Sequence, residues 1–308
     1  MRIGNRDFDL ENKAYIMGIL NVTPDSFSDG GKWVEMDKAL KHVEDMIKDG
    51  ASIIDIGGES TRPGYIKVSE EEETARIVPY IERIKKEFDI PVSVDTYKAA
   101  VAENAIKSGV DMINDIWGFK ADSRMAAVAA KYDVPCCIMH NRDVEARPYT
   151  NYIDDVLNDL KGSINIGLSA GVKRDKMITD PGIGFAKTLE ENLMLMNHLD
   201  ELKRLGCPIL LGTSRKSMIG LTLNLPATER LEGTIATTVF GIMKGCSIIR
   251  VHDVKENYRA LTMTKAMLNA EERENEQEED NRYSCGCGNN RGYSGCHCYQ
   301  CYKQPVSI

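Results

Sequence analysis

The chain has 308 residues, of which 42% are hydrophobic and 28% are charged, and its formal net charge at pH 7 is −8. This composition supplies a large core, while the acidic balance argues against nucleic acid and anionic membranes as partners, since basic surfaces bind both. The sequence contains no apolar run of the ~18–20 residues that a membrane span needs. Its first residues have the features of neither a secretory signal nor a transit peptide. We therefore expect a cytoplasmic protein.

Eight short apolar runs alternate with eight helical patterns between residues 14 and 268. The runs do not alternate with polar residues, which is typical of parallel strands buried on both faces. They begin near residues 14, 52, 91, 112, 135, 177, 208 and 247. The helical patterns cover residues 36–49, 69–88, 97–108, 123–132, 151–170, 188–205, 229–244 and 254–268. This order predicts the α/β class and a (β/α)8 TIM barrel. A doubly wound open sheet is the main alternative, but the first strand–helix turn lacks the nucleotide-binding fingerprint that such sheets normally carry.

Local signals mark the ends of several helices. Ser69 followed by Glu72 predicts a capping box at the start of the second helix, and Pro79 inside that helix predicts a kink. The segments KDG, KSG, KRLG and MKG each combine a basic residue with a glycine. That combination is typical of helix C-termini, so each segment predicts the end of a helix.

The last 38 residues differ in character from the rest of the chain. Five of the nine cysteines lie there, after the acidic run EERENEQEED, and the segment has almost no aliphatic residues. Such a segment cannot build a core. The sequence therefore predicts one barrel over residues 1–270 and an acidic, then Cys-rich, C-terminal tail over residues 271–308. The tail either binds Zn²⁺ or is a disordered segment with reactive thiols. Its cysteines are Cys285, Cys287, Cys296, Cys298 and Cys301.

Nearly every predicted strand ends on a polar or charged residue. These residues are Asn21, Asp55, Asp95, Asn114, His140, Asp180, Arg250 and His252, and the seventh strand runs into Ser214, Arg215 and Lys216. Each one alone is explained by helix capping or turn formation. Eight strand ends that carry both charge signs are better explained by an active site, because a TIM barrel places its site at the carboxyl ends of its strands. Carboxylates together with cations suit an anionic, nitrogen-rich substrate.

Two segments after the first strands are rich in glycine, proline and small hydroxyl residues. The first loop, residues 21–31, reads NVTPDSFSDGG, and the second loop, residues 57–64, reads GGESTRPG. Such segments are typical of loops that close over a site. Ordinary turn chemistry explains their glycines and prolines, but it does not explain Phe27 in the first loop or Arg62 beside Thr61 in the second.

The ordered set of motifs resembles one enzyme family. NVTPDSFSDGG, DIGGESTRPG, SVDTYKAAVAENAIKSGVDMINDIWG, DPGIGFAKT, LLGTSRKS and RVHDV are similar, in this order, to the motifs of dihydropteroate synthases. The resemblance covers roughly residues 14–268 and implies a TIM barrel. It also implies a transferase of folate biosynthesis that condenses 6-hydroxymethyl-7,8-dihydropterin diphosphate with 4-aminobenzoate, giving 7,8-dihydropteroate and pyrophosphate. A homodimer and competition by sulfonamides for the 4-aminobenzoate pocket are further implications.

The resemblance also implies roles for individual residues. The pterin would be bound by Asp95, Asn114, Asp180, Lys216, Met139 and Phe185. The diphosphate would be bound by Asn21, Thr61, Arg62, Arg250 and His252, with Asn21 as the protein ligand of a Mg²⁺ ion. The 4-aminobenzoate would be bound by Phe27, Pro63 and Ser217. The residues with catalytic roles would be Asp95, Lys216, Arg250 and His252.

Simpler roles exist for two of these residues, since Met139 also fits core packing and Ser217 fits a plain helix N-cap.

The electron-rich dihydropterin ring can share positive charge, which favours an SN1-like route in which cations stabilise the leaving group and Asp95 stabilises the carbocation. The arylamine is already neutral at pH 7, so no strong general base is expected.

Two other functions are alternatives. A pterin-dependent methyltransferase barrel shares the fold and the pterin contacts, but it has no need for the first loop, the TSRKS segment or the RVH segment. A degenerate barrel that serves as a metal- or partner-binding scaffold through its tail is the second alternative, and it does not explain why every expected catalytic position holds a suitable residue.

Overall fold

The computed structural model describes residues 1–22, 32–59 and 67–270. The strands are β1 (Arg2–Ile3), β2 (Arg6–Asp7), β3 (Tyr15–Asn21), β4 (Ala51–Gly57), β5 (Val92–Asp95), β6 (Met112–Asp115), β7 (Cys136–Met139), β8 (Met177–Asp180), β9 (Leu210–Leu211) and β10 (Ile248–Val251). The helices are α1 (Lys32–Lys48), α2 (Glu70–Glu87), α3 (Ala99–Lys107), α4 (Met125–Tyr132), α5 (Tyr152–Ala170), α6 (Leu189–Asn197), α7 (Ser217–Leu223), α8 (Leu231–Met243) and α9 (Val254–Leu268).

Strands β3 to β10 form one sheet of eight strands in the order β8-β7-β6-β5-β4-β3-β10-β9. Every neighbouring pair in this sheet is parallel. A further parallel bridge between Thr179 and Ile209 joins the two edges of the sheet. The sheet is thereby closed into a barrel with helices around it, and the predicted TIM barrel is confirmed.

Two apolar clusters hold the barrel together. The larger cluster lies between the outer faces of the strands and the surrounding helices, and it includes Ile54 from β4 and Ile81 from α2. The smaller cluster lies at the amino-terminal ends of the strands, and we call it the barrel floor. It contains Ile3, Phe8, Leu10, Met17, Ile53, Met112, Cys137, Ile178, Leu210 and Ile248. The antiparallel hairpin of β1 and β2 contributes to this floor from outside the eight-stranded sheet.

Strand positions follow the expected alternation. In β4, Ile53 belongs to the floor and Ile54 to the outer cluster. Because side chains alternate across a strand, Asp55 points to the same side as Ile53, which is the interior of the barrel. Asp55 is fully buried. The strands thus change from apolar to polar along the barrel axis.

The helix ends match the predicted signals, except that the predicted capping box at Ser69 is only half formed. Ser69 accepts a hydrogen bond from the backbone N–H of Glu72 at 3.1 Å, which forms one half of the predicted box. A complete capping box occurs instead between Thr188 and Glu191. Pro79 lies inside the single helix α2.

The helical pattern over residues 188–205 is divided between two elements. Helix α6 ends at Asn197, and residues Leu199–Leu205 form a 3₁₀ helix. Leu199, Leu202 and Leu205 are all buried, and their spacing of three matches the three residues per turn of a 3₁₀ helix. Helix α7 was missing from the predicted set of helices, although Ser217 was placed at a helix start.

By contacts, the chain divides into two units, residues Met1–Lys265 and Ala266–Ile308. Of the second unit, only residues 266–270 are described, and they include the end of α9. Within the described ranges, none of the helices combines the length and the apolar character that crossing a bilayer requires.

Candidate active site

A polar network fills the carboxyl-terminal half of the barrel interior. Arg250 on β10 donates from Nε to Asp55 Oδ2 at 2.6 Å and from Nη2 to Asp95 Oδ2 at 2.7 Å. Asn114 on β6 donates to the same Asp55 oxygen at 3.1 Å. Four strand ends that are far apart in the sequence are therefore joined through one guanidinium group and one carboxylate.

The network holds more hydrogen-bond acceptors than its described donors satisfy. Asp55 Oδ1 and Asp95 Oδ1 are buried, and neither accepts a hydrogen bond within the described ranges. Burial raises the pKa of Asp95 from its ordinary value of 3.8 to about 7, against the opposing effect of Arg250. Buried acceptors without partners are costly for a folded protein and indicate a site that binds a donor-rich ligand.

Asp180 and Lys216 form the opposite wall of the site. Asp180 is buried and accepts a hydrogen bond from the Gly182 backbone N–H at 2.6 Å through Oδ1. Burial raises the pKa of Asp180, and Lys216 opposes that shift. Burial in turn lowers the pKa of Lys216 to about 8, and Asp180 opposes that change. Asp180 and Lys216 therefore each favour the charged form of the other, against the effect of burial.

Two apolar side chains lie at this wall. The Nζ atom of Lys216 lies 4.6 Å from the ring centroid of Phe185 and donates a hydrogen bond to the Ile183 carbonyl. Met139 ends β7, is buried, and pairs in register with Asp180 on β8. Met139 therefore ends one strand, and Phe185 lies in the segment that follows the neighbouring strand β8, an arrangement in which a flat ligand could contact both.

The residues after β9 and β10 form a second polar group. Ser214 Oγ lies 3.0 Å from Nδ1 of His252 and accepts a hydrogen bond from the His252 backbone N–H at 3.1 Å. Arg215 has a left-handed backbone, with φ 58°, and its Nε donates to Asp253 at 3.0 Å. Ser217 is exposed and is the first residue of α7, while the N-cap is Lys216, which makes no side-chain capping bond. The plain N-cap role for Ser217 is therefore wrong.

Asn21 lies at the end of β3, beside Gly57 and at the level of Asp95. Its Oδ1 atom would be 3.6 Å from a Cβ built on Gly57. The described residues contain no group of three or more His, Cys, Asp or Glu side chains that would hold a metal ion. An Asn carboxamide that supplies one oxygen fits a Mg²⁺ ion whose other ligands are phosphate and water.

Several predicted residues lie outside the described ranges. They are Phe27, Thr61, Arg62, Pro63, Cys285, Cys287, Cys296, Cys298 and Cys301. The other predicted residues fall into three groups: Asp55, Asp95 and Asn114 around Arg250, Asp180 and Phe185 near Lys216, and Ser214 with His252 after β9 and β10. His140 does not join them, because its ring faces Asp159 on α5.

Sequence reasoning missed a buried ion cluster beside the second loop. Lys98 Nζ donates to Glu59 at 2.7 Å, to Glu73 at 2.6 Å and to the Val68 carbonyl at 2.8 Å. All three charged side chains are nearly buried. Lys98 stands in the motif SVDTYKAAVA, but a charged residue at the start of a helix normally indicates a solvated position. No signal in the sequence distinguished Lys98 from such a solvated lysine.

The comparisons with known proteins agree with this geometry. The pterin binding enzyme family matches residues 17–252. A dihydropteroate synthase from Clostridium beijerinckii is 65% identical over 269 residues, covering 87% of this chain and 99% of that protein.

Two solved structures are also similar. A dihydropteroate synthase from Clostridium difficile, crystallised in the presence of pteroic acid, has a TM-score of 0.82 and 53% identity over 85% of this chain and 99% of that one. A Yersinia pestis dihydropteroate synthase in complex with a sulfonamide drug has a TM-score of 0.81 and 42% identity over 87% of this chain and 99% of that one. The predicted enzyme class is thereby confirmed, and the chain belongs to the dihydropteroate synthase family of pterin-binding enzymes.

Proposed function

We propose that this chain condenses 6-hydroxymethyl-7,8-dihydropterin diphosphate with 4-aminobenzoate, giving 7,8-dihydropteroate and pyrophosphate. The observation that carries the proposal is the set of buried acceptors at the carboxyl end of the barrel, next to two cations. A pterin offers ring and amino N–H donors on one edge, and its diphosphate offers negative charge. Both kinds of group are needed to satisfy this site.

The pterin ring fits the wall formed by Asp180 and Lys216. The Asp180 carboxylate accepts paired hydrogen bonds from an amino group and an adjacent ring N–H, and Lys216 donates to ring acceptors. Asn114 offers a further carboxamide beside the ring. Met139 and Phe185 contact the two faces of the heterocycle, since flat rings favour apolar or aromatic neighbours.

The diphosphate fits the side of the site where His252 and Arg250 lie. Arg250 uses Nε and Nη2 for its two carboxylate partners, so N–H donors of its guanidinium remain available. Thr61 and Arg62 of the second loop are predicted to complete this subsite. Asn21 would hold a Mg²⁺ ion together with the diphosphate, and the ion would neutralise part of the charge of the leaving group.

The reaction then needs charge stabilisation more than proton transfer. The bond between the methylene carbon and the diphosphate oxygen breaks, and its electron pair leaves with pyrophosphate. The cation that develops on the pterin methylene is delocalised into the ring and lies near Asp95, while Arg250 and His252 stabilise the departing anion. The neutral amine of 4-aminobenzoate forms the new C–N bond and releases one proton.

The 4-aminobenzoate pocket is proposed to form from Phe27, Pro63 and Ser217, so sulfonamides would compete there. The exposed position of Ser217 at the start of α7 supports the proposed contact with the carboxylate, because backbone N–H groups point outward at that end.

We also propose a homodimer. Helices α7 and α8 expose large apolar side chains, among them Leu221 with 66% and Met243 with 62% of their surface accessible. Exposed apolar surface of this kind is typical of a subunit contact. Sedimentation velocity of the full chain tests this proposal, and a monomer at micromolar concentration would contradict it.

The cytoplasmic location and the role of the C-terminal tail remain predictions from the sequence. For the tail, Zn²⁺ binding and free thiols are the two alternatives. Native mass spectrometry with and without a chelator distinguishes them by the presence or absence of a metal mass shift.

The activity is tested by measuring pyrophosphate release with the pterin diphosphate and 4-aminobenzoate, together and singly. We expect release only when both are present. A parallel reaction with methyltetrahydrofolate and a corrinoid acceptor tests the methyltransferase alternative, and methyl transfer without pyrophosphate release would overturn the proposal.

A further inference from the structure

The segment between Asp180 and α6 has an irregular backbone that side chains hold in place. Gly182, Gly184 and Ala186 have φ values of 68°, 82° and 52°, all in the left-handed region. At Gly182 a Cβ atom would lie 2.0 Å from the His140 carbonyl oxygen, so only glycine fits there. This segment, residues 181–187, carries Phe185, and we call it the Phe185 turn.

Side chains from several elements satisfy the polar backbone groups of the Phe185 turn. Lys187 Nζ donates to the carbonyls of Gly182 and Phe185, both at 2.9 Å. Tyr149 donates to the Ala186 carbonyl at 3.1 Å, and the Gly184 N–H donates to Asn192 at 2.6 Å. A turn whose shape depends on side-chain donors changes shape when a donor is removed.

The third contact of Lys187 is with a residue outside the Phe185 turn. Its Nζ lies 2.9 Å from Nδ1 of His140, and His140 directly follows Met139 at the end of β7. His140 is fully buried, and burial lowers its pKa to about 3, so the ring is neutral. Burial also lowers the pKa of Lys187 to about 7. The Nζ atom of this one lysine thereby contacts both the segment that carries Met139 and the segment that carries Phe185.

The other side of the His140 ring faces a carboxylate. Its Nε2 atom lies 3.3 Å from Asp159 Oδ2 on α5. Asp159 also accepts hydrogen bonds from Arg142 at 2.8 Å and from Arg147 at 2.5 Å. The imidazole therefore lies between Lys187 and a carboxylate that is itself anchored by two guanidinium groups, and the buried ring has little room to move.

We propose that Lys187 is a positioning residue for the pterin, because it holds the Phe185 turn against the end of β7 and so sets the separation of Met139 and Phe185. The inference rests on the proposed function, since it assumes that a flat ring lies between these two side chains. All three hydrogen bonds of Lys187 Nζ are made with protein groups, so Lys187 acts through the turn and not on the reacting atoms. The inference predicts that its loss affects ring binding far more than diphosphate binding.

The test compares Lys187→Met, which keeps the length of the side chain and removes its donors, with Lys161→Met as the matched control. Lys161 is an exposed lysine of α5. Binding of 6-hydroxymethylpterin and of inorganic pyrophosphate is measured separately by calorimetry on the full chain. We expect Lys187→Met to weaken pterin binding by about tenfold or more, consistent with the loss of several buried hydrogen bonds, and to change pyrophosphate binding less than twofold. In turnover, KM for the pterin substrate should rise while kcat falls by less than about threefold.

Three outcomes would overturn the inference. The first outcome is that a folded Lys187→Met variant binds the pterin as tightly as the wild type does. The second outcome is an equal loss of pterin and pyrophosphate binding, because that result indicates general collapse of the site. If Lys187→Met does not fold, Lys187→Gln, which retains one donor group, must show an intermediate loss of pterin binding, and wild-type affinity in that variant would contradict the inference. Failure of the wild-type chain to bind the pterin at all would instead overturn the proposed function together with the inference.

Discussion

The two ends of the barrel are built from the same strands but have opposite character. In β4, Ile53 belongs to the apolar floor, and Asp55, two residues later, is fully buried in the polar network. In β10, Ile248 belongs to the floor, and Arg250, two residues later, belongs to the polar network. The floor stabilises the fold by burying apolar surface, and the opposite end supplies the groups that a substrate needs.

The energetic contrast is large. Burial of a side chain such as Ile53 contributes about 1.5–3 kcal/mol to the free energy of unfolding. At the other end, one guanidinium group serves two buried carboxylates, each with one oxygen that accepts no described hydrogen bond. Desolvation of such groups offsets much of their mutual attraction. The apolar floor therefore supplies stability that offsets the cost of burying charged groups at the site.

The largest expected effect is at Arg250. Arg250→Gln removes the shared charge partner of Asp55 and Asp95, and it also removes a cation from the proposed leaving-group site. We expect kcat/KM to fall by at least about 100-fold, and the free energy of unfolding to fall by about 3–5 kcal/mol. Steady-state pyrophosphate release and urea unfolding measure the two effects. Arg204→Gln, at an exposed arginine paired with Glu201, is the control, and activity of the Arg250 variant within tenfold of it would contradict the account.

The next largest effect is expected at Ile53, where a substitution should change the free energy of unfolding and leave substrate binding unchanged. Ile53→Ala leaves a cavity in the floor, and we expect the free energy of unfolding to fall by about 2–5 kcal/mol. KM for both substrates should stay within twofold of the wild type, because the floor is separate from the proposed binding groups. Ile166→Ala, at an exposed position of α5, is the matched comparison. A strong rise of either KM in the folded Ile53 variant would show that the two ends are not separable.

The third prediction concerns pH and Asp95. Because the pKa of Asp95 is raised from 3.8 to about 7, the folded chain retains a proton that the unfolded chain releases between these pH values. The stability contributed by this residue is therefore full below pH ~4 and is lost as pH rises through ~7. Asparagine at position 95 does not titrate, so the stability of Asp95→Asn relative to the wild type should increase by on the order of 3 kcal/mol between pH 4.5 and pH 8. Urea unfolding at the two pH values measures this change, and a constant difference would count against the raised pKa. Activity should be lost at both pH values.

The smallest effect is expected at Ser217. Ser217→Ala removes one hydroxyl from an exposed helix start, so the free energy of unfolding should change by less than about 0.5 kcal/mol. KM for 4-aminobenzoate should rise by about three- to tenfold, with KM for the pterin substrate as the internal control. Equal changes in both constants would remove the proposed contact between Ser217 and the 4-aminobenzoate carboxylate.

The contrast between the two ends of the barrel also explains which features of the fold and the site could be predicted from the sequence. The apolar runs and the polar residues that end them are local patterns, so the eight strands and the positions of Asp95, Asn114 and Asp180 followed from the sequence. The hairpin of β1 and β2 was missed because each strand has only two residues, which is too short for a periodic signal.

The supporting contacts of the site were missed for a different reason. Lys98 and Glu59 are 39 residues apart, and Lys187 and His140 are 47 residues apart. Neither pair shows a spacing that a helix or strand would impose, so only the closed barrel brings them together. Residues that contact a ligand stand at strand ends and can be predicted, whereas residues that hold those strand ends in place depend on the three-dimensional packing.

In the proposed reaction, the polar end of the barrel joins the pterin to the arylamine. A single-turnover reaction of the full chain with the pterin diphosphate and excess 4-aminobenzoate tests it most directly, with dihydropteroate quantified by mass spectrometry and pyrophosphate by a coupled assay. The account predicts the two products in a one-to-one ratio. Pyrophosphate released without dihydropteroate, as hydrolysis of the pterin diphosphate would give, would contradict it.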